Sequence, residues 1–130
     1  MDTLLKLAAE SEIRNLIAEY AHKADDGDAV GFALLFSPDG TLEIGGHQLV
    51  GRQAIQEWLP TTLTQGALRH LMTNIHIVIE SADSARCSLD LLLLKQVGDE
   101  WKIRMTSRYE DRLVNVDGSW LFQHRHILMR

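Results

Sequence analysis

The chain has 130 residues, a net charge of −5 and a pI near 5.6. This length predicts a single domain over residues 1–130, large enough to bury a substantial core. The acidic balance argues against a nucleic-acid surface, which is usually basic. No apolar run reaches the roughly 18 to 20 residues of a membrane span, and the first residues do not resemble a secretion signal. We therefore expect a cytoplasmic protein without nucleic-acid or membrane partners.

Cys87 is the only cysteine. A single thiol excludes an internal disulfide and a thiolate-bound zinc cluster, and its place in an apolar strand pattern predicts a buried, unreactive side chain. The basic residues of the last third alternate with acidic ones, which predicts a solvated strand face rather than a basic patch. They are Lys102, Arg104, Arg108, Arg112, Arg125 and Arg130.

The first half of the chain predicts three helices. Apolar residues recur at helical spacing over residues 13–24, and this helix is expected to end near Gly27, because glycine readily takes the left-handed C-terminal conformation. Asp28 is placed to cap a second, short helix over residues 30–36. A third helix follows Gly51-Arg52, and Pro60 is expected to end or kink it.

Turns and strands are predicted for the remainder. Residues 37–40 (SPDG) predict a turn, and residues 41–44 and 48–50 predict a short hairpin around a Gly-Gly pair. Four long strands joined by tight turns follow, over residues 68–80, 85–97, 101–113 and 120–129. Because short connections make neighbouring strands antiparallel, this order predicts an α+β fold with three N-terminal helices packed on one face of a curved antiparallel sheet.

Both faces of the strand over residues 68–80 are largely apolar. Alternate positions carry His70, Met72, Asn74 and His76 on one face, with leucine, threonine and isoleucine on the other. Helices can cover one side of this strand, and an uncovered apolar patch on the other side usually marks association. We therefore expect a homodimer formed through the sheet.

Seven stretches, in order along nearly the whole chain, resemble the SnoaL-like branch of the NTF2-like superfamily of cone-shaped α+β barrels. They are residues 13–20 (IRNLIAEY), 25–28 (DDGD), 35–40 (LFSPDG), 51–55 (GRQAI), 69–74 (RHLMTN), 109–113 (YEDRL) and 117–120 (DGSW). The resemblance implies that the curved sheet forms a cone, that the helices close one end of it and that a pocket lies inside.

The relatives implied include scytalone dehydratase, bile-acid 7α-dehydratase, lindane dehydrochlorinase, ketosteroid isomerase, polyketide cyclases and β subunits of ring-hydroxylating dioxygenases. In the dehydratases and the dehydrochlorinase, an aspartate after the first helix and a histidine opening the first long strand form a catalytic pair. Asp25 and His70 match those positions here, and Tyr20 matches a pocket tyrosine of the dehydratases. For a further acid of the bile-acid enzyme, on the second long strand, Asp90 is the nearest candidate.

The chemistry implied is removal of a proton from a carbon next to an activating group, followed by loss or migration of a leaving group. Histidine suits this step, since imidazole exchanges protons near neutral pH. An ionised aspartate on one ring nitrogen fixes the tautomer, and a tyrosine hydroxyl stabilises developing negative charge. His70 is thus the expected base, Asp25 the group that orients it and Tyr20 the donor, with no cofactor.

Each of these residues also has a purely structural interpretation. His70 would then be a strand histidine bonded to a backbone carbonyl, and Tyr20 would be a core tyrosine. Asp25 would be an acid in a polar turn, where the negative end of the helix dipole disfavours it unless a partner compensates. Asp26 and Asp28 compete with Asp25 for the partnership with His70.

The pocket is expected to hold a small hydrophobic substrate bearing a carbonyl or a ring. Its substrate-binding residues are predicted to be Trp58, Met72, Asn74, His76, Asp90, Tyr109 and Asp111. Tyr109 and Asp111 are placed inward because they share a strand face with Trp101, Ile103 and Met105. His124 and His126 raise the question of a metal pair, but no acid accompanies them at ligand spacing, so no metal site is expected.

Two functions are consistent with this sequence. The first is a cofactor-independent lyase or isomerase of the dehydratase or cyclase type. The second is a non-catalytic small-molecule binder, or an accessory subunit, on the same fold, because fold alone does not fix function. The two are separated by geometry, since only the enzyme requires Asp25 and His70 to meet inside an open apolar cavity.

Overall fold

The computed structural model of the protein describes residues 1–62 and 67–130. Within those ranges the helices are α1 (Thr3–Asp26), α2 (Ala29–Ala33) and α3 (Arg52–Thr62). The strands are β1 (Phe36–Ile44), β2 (His47–Val50), β3 (Leu68–Ile79), β4 (Ser84–Val97), β5 (Glu100–Val116) and β6 (Ser119–Met129). The strands form one curved, unclosed sheet in the order β2-β1-β6-β5-β4-β3.

The predicted α+β fold, with N-terminal helices against a curved sheet, is confirmed, and the sheet is mixed. Neighbouring strands are antiparallel except for β1 and β6, which pair in parallel. No hairpin connects these two strands, so nothing in their connection requires them to run in opposite directions. The predicted hairpin is also present, with Thr41 opposite Val50 and Ile44 opposite His47.

Helix α1 carries Asp25 to the sheet. Its first turn is capped by Asp2, whose carboxylate accepts a hydrogen bond from the Leu5 amide at 2.9 Å, and it ends at Gly27 with φ of 71°. Its apolar face, including Ile13 and Ile17, is buried in the core beneath the sheet. No helix in the described ranges is both long and apolar enough to cross a membrane.

Two local predictions about the connections are corrected. Residues 37–40, predicted as a turn, lie within β1, at an irregularity where the β1–β6 register shifts between Phe36 and Thr41. A Cβ on Gly40 would lie 2.9 Å from the Ser37 carbonyl oxygen, so only glycine fits this bend. Pro60 does not end α3, which continues to Thr62.

The sheet has an inner face against the helices and an outer face away from them, and β-bulges set which residues lie on each. There are three register shifts in the sheet. One lies between Thr73 and His76 in β3, one at Arg104 in β5 and one at Gln123 in β6. Each shift inserts one extra residue and reverses the alternation of side chains beyond it. Three strands therefore change phase in the middle of the sheet.

Candidate functional site

A cavity of about 320 Å³ lies between the inner face of the sheet and the three helices. Its volume is within the range of roughly 300 to 1,000 Å³ typical of small-molecule sites. Most of its wall is apolar, and the polar groups are few. The lining residues are Tyr20, Ala24, Phe32, Ile44, Trp58, Leu59, Leu68, His70, Leu91, Leu93, Arg104, Met105, Ser107, Tyr109, Ile127 and Met129.

Asp25 and His70 meet at the edge of this cavity. The Nδ1 atom of His70 lies 2.6 Å from Asp25 Oδ1, and the His70 backbone amide donates to both carboxylate oxygens at 3.1 and 3.2 Å. Both side chains are largely buried, with 9% of His70 and 19% of Asp25 exposed. A carboxylate only accepts hydrogen bonds, so the proton of a neutral His70 ring resides on Nδ1. Nε2 is then left as a free acceptor.

The pairing depends on where two elements end. Asp25 lies in the last turn of α1, and His70 is the third residue of β3, which packs beside that helix. The backbone amide and the ring of His70 both bond to this carboxylate, so its position is fixed from two sides. Asp26 and Asp28 do not take this position. Asp28 instead accepts from the Gly31 amide at 2.9 Å and caps α2.

Two buried tyrosines form the inner wall beside His70. The Tyr20 ring centroid is 6.5 Å from that of His70 and 6.1 Å from that of Tyr109, both in edge-on arrangements. Burial raises the pKa of Tyr20 and raises that of Tyr109 well above its ordinary value. Both hydroxyls therefore remain protonated at neutral pH and available as donors.

A buried ion pair supports the two tyrosines from behind. Arg125 donates to both oxygens of Asp111, at 2.8 and 2.9 Å, and neither side chain has solvent-exposed area. The guanidinium carbon lies 4.3 Å from the Tyr20 ring centroid, 4.5 Å from that of Tyr109 and 4.0 Å from that of Phe122. Burial opposes the Arg125 charge, but Asp111 more than compensates and raises the pKa of Arg125. The cation stays charged and lowers the cost of negative charge on the tyrosines.

Arg125 was not predicted as a buried residue. It was grouped with the solvated basic residues, and the structure buries it completely. The signal for it was indirect: Asp111 was predicted to point inward, and a carboxylate in an apolar interior requires a cationic partner. The extra residue at Gln123 hides that partner, because it moves Arg125 onto the face that Phe122 occupies.

The structure brings some of the predicted pocket residues together and separates others. Tyr20, His70, Trp58 and Tyr109 line the cavity. Two others lie on the inner face without lining it: Met72 packs against the edge of the core, and Asp111 lies behind the tyrosines with Arg125.

Asn74, His76 and Asp90 lie on the outer face, away from the cavity. The bulge at Asn74, whose φ is 51°, ends the alternation that would have placed His76 with His70. Asn74 donates to Asp90 at 2.8 Å, and Arg108 donates to the other Asp90 oxygen at 2.6 Å. These bonds, that of Arg108 first, lower the pKa of the Asp90 carboxyl. Asp90 thus belongs to a surface network.

Two polar residues of the cavity, Arg104 and Ser107, were not predicted. Both lie on β5, whose phase change was not foreseen. Trp101 and Ile103, predicted to share a face with Tyr109, are exposed on the outer side instead, where the Arg69 guanidinium lies 5.0 Å from the Trp101 ring centroid.

The outer face also holds the two late histidines. His126 Nε2 lies 3.0 Å from one Glu43 oxygen, and His124 Nε2 lies 3.7 Å from the other. In the described part of the chain, no group of three or more His, Cys, Asp or Glu side chains is arranged to hold a metal ion.

The comparisons with known proteins agree on fold and family. A structure of a Mycobacterium tuberculosis protein of unknown function is 26% identical, with a TM-score of 0.90 over 95% of this chain and 77% of that one. An NTF2-like protein with a cystatin-like fold from Novosphingobium aromaticivorans is 25% identical, with a TM-score of 0.85 over 99% of this chain and 91% of that one. A candidate scytalone dehydratase from the same organism is 24% identical, with a TM-score of 0.88 over 99% and 89%.

No curated protein matches this chain in sequence. A family model described as a SnoaL-like domain matches residues 5–126, which covers all or most of every helix and strand. The chain therefore belongs to the SnoaL-like family.

Proposed function

We propose that this protein is a cofactor-independent lyase or isomerase of the dehydratase or cyclase type. The observation that carries the proposal is the Asp25–His70 pair, with Nδ1 engaged by the carboxylate and the ring lining a mostly apolar cavity. In this proposal His70 is the base, Asp25 orients it, and Tyr20 donates to the substrate.

The first step is proton abstraction. Nε2 of His70 takes a proton from a carbon next to a substrate carbonyl, and the electrons of the broken C–H bond form an enolate. Asp25 stabilises the imidazolium, while the Tyr20 hydroxyl, backed by Arg125, donates to the enolate oxygen. A donor of this kind is worth about 10² to 10³ in rate.

The second step decides between the two reaction classes. In a dehydration, the enolate re-forms the carbonyl, and a C=C bond forms between the carbon that lost its proton and the neighbouring carbon that carries a hydroxyl. That hydroxyl leaves as water after it takes the proton back from His70. In an isomerisation, His70 returns the same proton to a different carbon. Both outcomes use the same base, so one site serves either class.

The walls favour a hydrophobic substrate. Aromatic and aliphatic side chains, including Phe32, Trp58 and Leu93, supply most of the lining, which suits a ring system. The alternative is a non-catalytic binder or accessory subunit that holds a small molecule in the same cavity. In that case His70 removes no proton from the bound molecule. The two candidates differ in turnover and not in binding.

The test uses proton exchange on a probe ketone, so it does not require the natural substrate. Wild-type protein is expected to accelerate deuterium incorporation next to the carbonyl of 2-tetralone in D₂O, as measured by NMR. His70→Ala is expected to lose this acceleration by about 10² to 10⁴, the usual contribution of a positioned base. His76→Ala, which alters a histidine on the outer face, is the matched control and should retain the rate.

Circular dichroism would show that each variant is folded. No acceleration by the wild-type protein, or equal rates for wild type and His70→Ala, would contradict the enzyme proposal and favour the binder.

We also propose that the protein is a homodimer that associates through the outer face of the sheet. The support is an apolar patch at the end of that face where β4 turns into β5. The patch consists of Leu71, Leu92, Leu94, Trp101 and Ile103. Leu71 is 41% exposed and Ile103 is 67% exposed.

A further inference from the structure

The cavity contains a charged side chain for which the proposed mechanism has no use. Arg104 is its one permanently charged lining residue, and no carboxylate lines it among the described residues. The two acids nearest the reaction are already engaged: Asp25 with His70, and Asp111 with Arg125. The wall of the cavity therefore carries a positive charge that no lining carboxylate compensates.

A β-bulge places this charge in the cavity. Leu93 pairs with Met105 and Leu94 pairs with Ile103, so Arg104 is the extra residue of β5. Both Arg104 and Met105 line the cavity as a result, although neighbours along a regular strand lie on opposite faces. Bulges commonly re-aim a side chain next to a functional site.

Arg104 has no ion-pair partner among the residues that the structure describes. No carboxylate in residues 1–62 or 67–130 lies within ion-pair distance of it, although Arg86, Arg108 and Arg125 all have one. Residues 62–66 of the sequence (TLTQG) contain no acidic residue either. Arg104 is exposed as well as cavity-lining, which places it at the opening.

Ser107 is the second unused polar group. It lines the same cavity from the same strand and is only 2% exposed. Its hydroxyl has no hydrogen-bond partner among the described residues. Because a buried hydroxyl without a partner costs free energy, a polar ligand atom that bonds to Ser107 would be stabilised in this cavity.

We propose that the ligand of this cavity is an anionic ring compound whose carboxylate binds Arg104 at the opening while its ring fills the apolar interior. The guanidinium fork matches a carboxylate in two parallel hydrogen bonds, and partial exclusion of water strengthens the pair. The carboxylate is a remote anchor. The carbon that loses its proton lies at His70, away from this anchor, and a separate carbonyl faces the tyrosines.

This inference deepens the proposed function, since it uses the same cavity, but its test measures binding alone. The probes are 2-naphthoate and its neutral isostere 2-naphthamide, titrated by calorimetry into wild type, Arg104→Gln and Arg112→Gln. Arg112 lies on the outer face of the same strand, so its variant makes the same change in net charge outside the cavity.

Wild-type protein is expected to bind the naphthoate about tenfold or more tightly than the amide, because a charge-assisted pair replaces a neutral contact. Arg104→Gln should bring naphthoate to the affinity of the amide and leave amide binding unchanged. Arg112→Gln should behave as wild type.

Three results would overturn the inference: equal affinity of wild type for both probes, a naphthoate preference that survives in Arg104→Gln, or no binding of either probe at millimolar concentration. His70→Ala separates this inference from the proposed function, because that variant should lose proton exchange and keep the charge preference. If proton exchange proves independent of His70, the measured preference still decides the ligand class.

Discussion

Two aspartate–arginine pairs lie on opposite faces of the same sheet, and solvent makes them energetically different. Asp111 and Arg125 form two hydrogen bonds inside the core, without exposed side-chain area. Asp90 and Arg108 form theirs on the outer face, with about a third of each side chain exposed (34% and 31%). Removing one member of a buried pair leaves a charge that water cannot reach, whereas an exposed pair exchanges its partner for water.

Asp111→Asn is therefore expected to destabilise the protein by about 3 to 5 kcal/mol, the cost of leaving a buried arginine without its counter-ion. Asp90→Asn makes the same chemical change on the outer face and should have a far smaller effect. Urea unfolding of both variants at neutral pH measures the difference. Similar losses for the two variants would show that Arg125 does not depend on Asp111 for its charge.

Among the site residues, the contact between Asp25 and His70 could be predicted from the sequence, and the burial of Arg125 could not. The Asp25–His70 contact was predicted because both residues lie at element ends, where an uncertainty of one residue hardly changes their position. Arg125 lies in mid-strand beyond a bulge, so its direction depends on a one-residue slip that leaves no mark in the pattern of apolar residues.

At the scale of elements, the β-bulges decide which side chains belong to the site. The bulge at Asn74 removes His76 from the cavity, and the one at Arg104 adds a cation to it. Helix ends, the hairpin and the four long strands could be predicted because caps, turn residues and alternation are local signals. The bulges could not, since both faces of β3 carry apolar residues and either phase satisfies the pattern.

Substitution of Asn74 measures how much one such bulge affects the stability of the protein. Its φ of 51° is left-handed, a conformation that asparagine tolerates and a β-branched residue does not. Asn74→Val is expected to destabilise the protein by about 1 to 2 kcal/mol through this strain. Thr73→Val is the control, because it also removes one exposed hydrogen bond to Asp90 but at a position without positive φ, so it should destabilise the protein less than Asn74→Val. Equal unfolding midpoints in urea would mean that β3 adopts another register.

At the scale of the whole molecule, the outer face of the sheet carries an exposed apolar patch. The sequence argument for a dimer began with β3 alone, and the structure buries part of its apolar side, including Ile77 and Ile79, against the core. The exposed apolar area lies instead at the β4–β5 end, in the patch centred on Leu94 and Ile103. Three strands contribute to it, so a partner could bury a contiguous surface there.

We expect a dimer by light scattering at micromolar concentration and a monomer for Ile103→Glu, because a buried carboxylate without a partner opposes association. Val50→Glu is the matched control: Val50 is 63% exposed on β2, compared with 67% for Ile103 on β5. A wild-type monomer, or a dimer that survives Ile103→Glu, would show that the protein does not dimerise through this patch.

The parallel pairing of β1 with β6 has a consequence for how the chain reaches its native state. Ser37 donates a hydrogen bond to Gln123 across 86 residues, so β1, although paired with β2 on one side, obtains its second neighbour only from nearly the last segment of the chain. Contacts between such distant segments are slow to form, since the loop they close is long. Until they form, the edge of β1 that later meets β6 stays unpaired, and unpaired strand edges of this kind make folding intermediates prone to aggregation.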